Sequence, residues 1–153
     1  MAALLTAAAA IWAVIILMAP VALHRSSTAG AGTLVYAASS RICHQRTERS
    51  FAIGGVQMPV CARCSGLYLA GAAGAVIAWF GRVPRSIRQT RLLLLIAAVP
   101  TALTFALDWL GIMPFSNTAR ALAAIPLGLS AGWVFVGMLR YDARFDGNKI
   151  FNR

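Results

Sequence analysis

The sequence predicts an all-α integral membrane protein, a bundle of four transmembrane helices with a short interfacial helix in its first outer loop. Three observations carry that expectation. Apolar residues make up 59% of the 153 positions and charged residues only 12%, with a mean hydropathy of +0.73, whereas soluble domains run at about 45–50% apolar and about 25% charged. Four apolar runs approach the roughly 20 residues that a helix needs to cross a bilayer. The arginines fall mostly between or just beyond those runs, where membrane proteins place cations to set orientation and meet headgroups.

The whole chain, 1–153, reads as a single membrane domain with spans at about 2–23, 63–80, 92–112 and 118–139. Residues 2–23 carry no charge. A cleaved secretory signal needs a basic start and an apolar core of about 7–15 residues, so an uncut first span is expected. A Cys/His motif loop, 24–64, follows. Within it Thr33–Arg46 mixes Leu34, Val35, Tyr36 and Ile42 with polar residues, as a short interfacial helix does. Gly54-Gly55 and Pro59 punctuate the chain, and Pro59 suits the first position of the helix that follows.

The second span repeats Gly66, Ala70, Gly74 and Ala78, and the fourth repeats Ala124, Gly128 and Gly132. Small residues every fourth position let helix backbones approach closely, so these two helices are expected to pack together. Pro100 and Pro126 lie inside the third and fourth spans, where neighbouring helices can re-satisfy the freed backbone groups.

Four acids, Glu48, Asp108, Asp142 and Asp146, stand against fourteen Lys and Arg. No aromatic-basic module of a nucleic-acid reader is present, and the lipid bilayer is the expected partner, with no nucleic acid. Arg82, Arg85, Arg88 and Arg91 lie within ten residues without an acid, and the tail adds Arg140, Arg144, Lys149 and Arg153. Positive-inside placement then puts both termini in the cytoplasm of a multi-pass plasma-membrane protein, with 24–64 and 111–117 outside. Against this, the 24–64 loop carries five arginines of its own, Arg25, Arg41, Arg46, Arg49 and Arg63.

The chemistry concentrates in that loop. Cys61-Ala62-Arg63-Cys64 places two sulfurs on one side of a first helical turn, and Cys43-His44 stands upstream with sixteen residues between His44 and Cys61. Three sulfurs and an imidazole form a standard tetrahedral zinc set, giving Cys43, His44, Cys61 and Cys64 as candidate metal ligands and zinc as the expected cofactor. Adjacent residues seldom both reach one ion, so His24, Asp108 or a water is an alternative fourth ligand. A water would make the site catalytic, acting on a membrane-embedded small-molecule or lipid substrate. The rival is redox, since a C-x-x-C at a helix N-terminus beside Arg63 favours the thiolate, as in quinone-linked membrane thiol oxidoreductases, although those relay electrons through a second cysteine pair and only Cys43 is present. A third class is a non-catalytic subunit whose small-residue seams seek partner helices.

With four spans, Asp108, Asn117 and Arg120 reach the same membrane face as the motif loop. Ionisable residues inside a membrane are costly and are usually paired or functional. Asp108 and Arg120 flank a short turn and can pair with each other. Asp108, Arg120, Asn117 and Glu48 are the candidate catalytic residues, Glu48 being most simply a local partner of Arg46 or Arg49.

Cys43-His44-Gln45, Glu48-Arg49-Ser50-Phe51 and the run from Pro59 through Cys61-Ala62-Arg63-Cys64-Ser65-Gly66 to Tyr68 resemble the hallmark of small prokaryotic membrane proteins grouped as domain of unknown function 2085. Asp108 and Asn117-x-x-Arg120 resemble that family's second signature. The resemblance covers about residues 35 to 135, with Ser65 standing where a Thr is expected. It implies a membrane protein and assigns neither ligand nor activity.

Overall fold

The computed structural model describes the backbone of residues 1–84 and 86–150 and the side chains of residues 1–84 and 86–140. Arg85 of the basic loop and Arg153 of the tail therefore lie outside the described residues, as do the side chains of Arg144 and Lys149. The fold is helical: α1 (Ala2–Leu23), α2 (Ala29–Ser39), α3 (Ala62–Ile77), α4 (Ile87–Trp109) and α5 (Asn117–Ile150), with a two-stranded hairpin, β1 (Ala52–Ile53) and β2 (Val56–Gln57), between α2 and α3.

Among the described residues, three helices are long and apolar enough to cross a membrane: α1, α4 and the Asn117–Arg140 part of α5. Their outward surfaces display Leu4, Ile11, Leu95, Ile96, Val99, Leu103 and Phe135, side chains that only a lipid-like surrounding removes from water. The expected second span differs. At 16 residues and 1.5 Å per residue, α3 is about 24 Å long, short of a hydrocarbon core of about 30 Å. Its beginning is delayed because Pro59 and Val60 form a bend and Cys61, with extended backbone, is the N-cap, so Pro59 does not open the helix. At its other end residues 78–80 form a turn instead of a final helical turn.

The packing runs α3 against α5 above all, with α4 on α5 and α1 on α3. The two small-residue repeats do meet. A side chain at Gly66 would strike the Ala121 carbonyl, at Gly74 the Leu129 carbonyl, at Gly128 the Leu67 carbonyl and at Gly132 the Gly71 carbonyl. Backbone therefore lies directly on backbone along α3 and α5. The pairings 66 with 121 and 74 with 129 rise together, so α3 and α5 run parallel. By contrast, Trp79 Nε1 donates to Thr6 Oγ1 at 3.0 Å and Trp12 packs edge-on to Tyr68, so α1 runs antiparallel to α3. Arg63 reaches Thr104 and Asp108 near the end of α4. The end of α1, the start of α3, the end of α4 and the start of α5 thus share one face, as an alternating topology requires.

The connections at that face are built by local chemistry. The helix in the first loop begins at Ala29, not Thr33, and stops at Ser39. The hairpin, which hydropathy patterning did not suggest, turns on Gly54 and Gly55 with φ of +59° and +81°; two positive φ values in a two-residue loop match the twist of paired strands. α4 begins at Ile87, so Arg88 and Arg91 lie in its first turns instead of in a loop. It ends in a Schellman arrangement: Gly111 takes φ +70°, Ile112 N–H donates to the Leu107 carbonyl at 3.0 Å and Gly111 N–H to that of Asp108 at 3.4 Å. Glycine accepts this left-handed stop without strain, which leaves Asp108 in the last turn. Ser116 Oγ then accepts from Ala119 N–H at 3.2 Å and opens α5.

Candidate functional site

Two clusters flank the first turn of α3. The first is sulfur. Cys43, Cys61 and Cys64 are free thiols, and their Sγ atoms all lie within 4.8 Å of one another. Cys61 N–H donates to Cys43 Sγ at 3.1 Å, so the upstream cysteine takes up an otherwise open donor at the helix N-terminus. Cys61 and Cys64 Sγ are 3.4 Å apart. Ile16 of α1, Val60 and Cys43 form a buried core against which Trp12, Cys61, Cys64 and Tyr68 pack, giving the sulfurs one apolar wall. The Cys61 thiol is lowered to about 5, first because the Cys64 thiol can donate to its thiolate, with burial opposing and donors from the Cys64 backbone, Cys43 and the Arg63 backbone assisting. The Arg63 side chain, expected to favour the thiolate, points to α4 instead.

Gln45 holds the two parts of the sulfur cluster in register. It takes a left-handed φ of 49°, a conformation costing a non-glycine residue on the order of 1–3 kcal/mol. That strain is offset by a clamp: Gln45 Nε2 donates to the Tyr36 and Pro59 carbonyls, both at 2.8 Å, and its own carbonyl accepts from Gln57 Nε2 at 2.6 Å. Tyr36 Oη donates to the Gln57 carbonyl. The loop carrying Cys43 is thereby tied to the residue two before Cys61.

The second cluster is ionic. The Asp108 side chain, 7% exposed, receives Arg120 at 2.9 Å, Arg63 at 3.4 Å and Arg49 at 3.9 Å. Arg63 also donates to the Thr104 carbonyl at 2.9 Å and lies over the Phe105 ring at 5.5 Å. Asn117 uses both ends of its amide: Oδ1 accepts from Arg120 at 3.0 Å and Nδ2 donates to the Ser50 carbonyl at 2.9 Å, tying α5 to the motif loop.

Of the candidate residues, the structure brings Cys43, Cys61 and Cys64 together in one group and Asp108, Arg120 and Asn117 in another. His44 is exposed and outside the sulfur group, because the chain turns away at Gln45. His24 is likewise exposed, beside Gly54. Glu48 lies 4.0 Å from Arg46 with its side chain 65% exposed, a surface pair that leaves it apart from Asp108. Sequence reasoning missed Arg49 and Arg63 as partners of Asp108, and Gln45 as a clamp. The surplus of arginine over acid in the loop was the available signal for the former.

Helices with lipid-facing flanks, closed at one end by a cysteine cluster and a buried ion cluster, define a small α-helical membrane protein with a built polar face. The chain belongs to the family of predicted membrane proteins described as DUF2085, which matches residues 43–134 and so contains both clusters. It is 33% identical over 97 residues to an uncharacterized protein of Methanocaldococcus jannaschii, covering 63% of this chain and 62% of that one. It is 32% identical over 88 residues to an uncharacterized protein of Methanothermobacter thermautotrophicus, covering 58% of this chain and 78% of the relative. No solved structure matches the chain.

Proposed function

We propose that the chain crosses the plasma membrane four times, with α3 as a short span, and that Cys43, Cys61 and Cys64 hold one zinc ion at the outer face. The gathering of three free sulfurs within 4.8 Å carries this reading. Zinc–sulfur bonds of about 2.3 Å in a tetrahedron set sulfurs about 3.8 Å apart, so small side-chain movements close the site. With His44 outside the group, three protein ligands leave a fourth position, and an exchangeable fourth position is what distinguishes catalytic from structural zinc. A site at the membrane face with one apolar wall suits a membrane-embedded or lipid-borne substrate. Arg82 and Arg88, at the opposite end of the bundle, favour the cytoplasm for that end. The small-residue seams pack against each other, which leaves them unavailable for partner helices and weakens the reading as a non-catalytic subunit.

The test is metal analysis after purification without chelator. Wild type is expected to carry about one zinc per chain, as thiolate sites bind zinc tightly. Cys43→Ser, Cys61→Ser and Cys64→Ser should each lose it and lose stability together, while His44→Ala should retain it. The second reading, a quinone-linked thiol oxidoreductase, is favoured by the 3.4 Å Cys61–Cys64 approach. A metal-free, folded wild type with a reversible Cys61–Cys64 disulfide that persists in Cys43→Ser would establish it in place of zinc.

A further inference from the structure

The ion cluster is out of charge balance. Three guanidiniums converge on one carboxylate, and among the described residues no other acid touches them. The charge of a guanidinium is permanent in proteins, so the surplus has to be met by a counter-charge. The cluster therefore carries a surplus of two positive charges, and it is largely shielded from water on the helix side: the Arg63 and Arg120 side chains are 14% and 10% exposed, and that of Arg49 35%. The Nε atoms of Arg49, Arg63 and Arg120 are all buried without a hydrogen-bond partner, and Arg120 as a residue is 8% exposed. Buried donors and charges of this kind are normally paired. The first turn of α5, which carries Arg120, adds the positive end of a helix dipole.

We infer that Arg49, Arg63 and Arg120 form a binding site for a phosphate group at this membrane face, with Asp108 fixing the guanidiniums in place. Guanidinium planes present paired donors that match phosphate oxygens; inorganic phosphate brings up to two negative charges, the number that is missing, and the phosphodiester of a lipid headgroup brings one of them. Arg49 is the entrance: its side chain is 35% exposed, and its 3.9 Å approach to Asp108 is the loosest of the three. The phosphate comes either from solution or from the headgroup of an anionic phospholipid, and the site is independent of what the cysteines bind.

The experiment measures binding to the full chain in an uncharged maltoside detergent, by calorimetry and by thermal shift, with two probes. One is inorganic phosphate, compared with chloride at equal ionic strength. The other is phosphatidylglycerol in mixed micelles, compared with phosphatidylcholine. Saturable binding of inorganic phosphate identifies a soluble ligand, and saturation by phosphatidylglycerol alone identifies a headgroup. In either case Arg49→Gln should weaken binding about tenfold or more, the loss expected of a charge-assisted hydrogen bond. Arg49→Lys should fall in between, because it keeps the charge and loses the planar fork. Arg49→Gln leaves the Arg63 and Arg120 contacts in place, and its melting temperature without ligand reports whether it is folded. Should it fail to fold, Arg49→Lys and the wild-type titrations decide. Absence of saturable binding by either probe, or binding undiminished in the folded Arg49 variants, would overturn the site.

Discussion

The first turn of α3 has two faces of opposite chemical character. Cys61 and Cys64 are three residues apart and so lie on one side of the helix, where they join Cys43 beside Ile16 and Val60. Arg63 lies between them in sequence and is turned about 100° from Cys64, toward Thr104 and Asp108 of α4. One face concentrates soft electron-pair donors with few protons to share, and the other concentrates guanidinium donors with too few acceptors. The difference teaches that a motif as short as C-A-R-C can serve two sites, because helical periodicity sends adjacent residues to different neighbours. Each site is finished by a distant segment: the sulfur face by Cys43 and the Gln45 clamp, the ionic face by Asp108 and Arg120.

The most disruptive way to separate the faces is to remove the acid. Asp108→Ala leaves three guanidiniums facing one another without a counter-charge. Breaking a buried ion pair by removing one partner costs about 3–5 kcal/mol, and that loss should appear in unfolding in detergent. Metal content on the cysteine face should stay at the wild-type level if the faces are independent. A variant as stable as wild type would show that Asp108 does not hold the arginines, and loss of metal would show that the two faces are one site.

Much of this arrangement was legible before any coordinates, and the parts that were not share a physical cause. Apolar length marked α1, α4 and α5, and the four-residue repeat of small side chains marked the contact between α3 and α5, because both signals are local to a helix. Asp108 and Arg120 were recognisable as a pair because a short turn separates them. The limits of α3 were not legible, since Val60, Trp79 and Phe80 are as apolar as a span requires while the turns at either end are set by tertiary contacts. His44 looked like a ligand by type and position, yet the left-handed Gln45 beside it redirects the chain. Arg49 and Arg63 reach Asp108 across 59 and 45 residues of sequence, and no periodicity encodes a contact of that kind.

A smaller perturbation asks whether the seam beneath both faces matters to each. Gly66 lies one turn below the clusters, and a Cβ there would overlap the Ala121 carbonyl, which is backbone and cannot rotate away. Gly66→Ala should force α3 and α5 apart at an overpacking cost of about 1–3 kcal/mol. Because Cys64 and Arg63 ride on α3 while Arg120 rides on α5, the ionic face should loosen more than the sulfur face. Phosphate or phosphatidylglycerol affinity should therefore drop further than zinc occupancy. Equal losses would place the seam's influence on both faces alike, and no change in stability would mean the helices are not in backbone contact.

The finest test concerns the sulfur face alone, in protein stripped of metal. Cys61 is lowered from an ordinary 9.0 to about 5, chiefly by the Cys64 thiol donating to its thiolate, so the folded protein binds that proton less tightly than the unfolded chain does. Between those two values the unfolded chain holds more protons, and stability from this group rises with pH. The contribution is fully present above pH 9.0, shrinks as pH falls and is gone below about 5. Reactivity follows the same proton, because the thiolate and not the thiol is the nucleophile. Alkylation of Cys61 by iodoacetamide, located by peptide mass analysis, should hold a near-constant rate from pH 8 to pH 6 and fall through about pH 5. Cys64→Ala should shift the fall toward higher pH, since it removes the side-chain donor that chiefly stabilises the Cys61 thiolate. A wild-type rate that already declines between pH 9 and pH 8 would mean that the Cys61–Cys64 contact does not stabilise the thiolate. The sulfur face would then be a group of ordinary thiols.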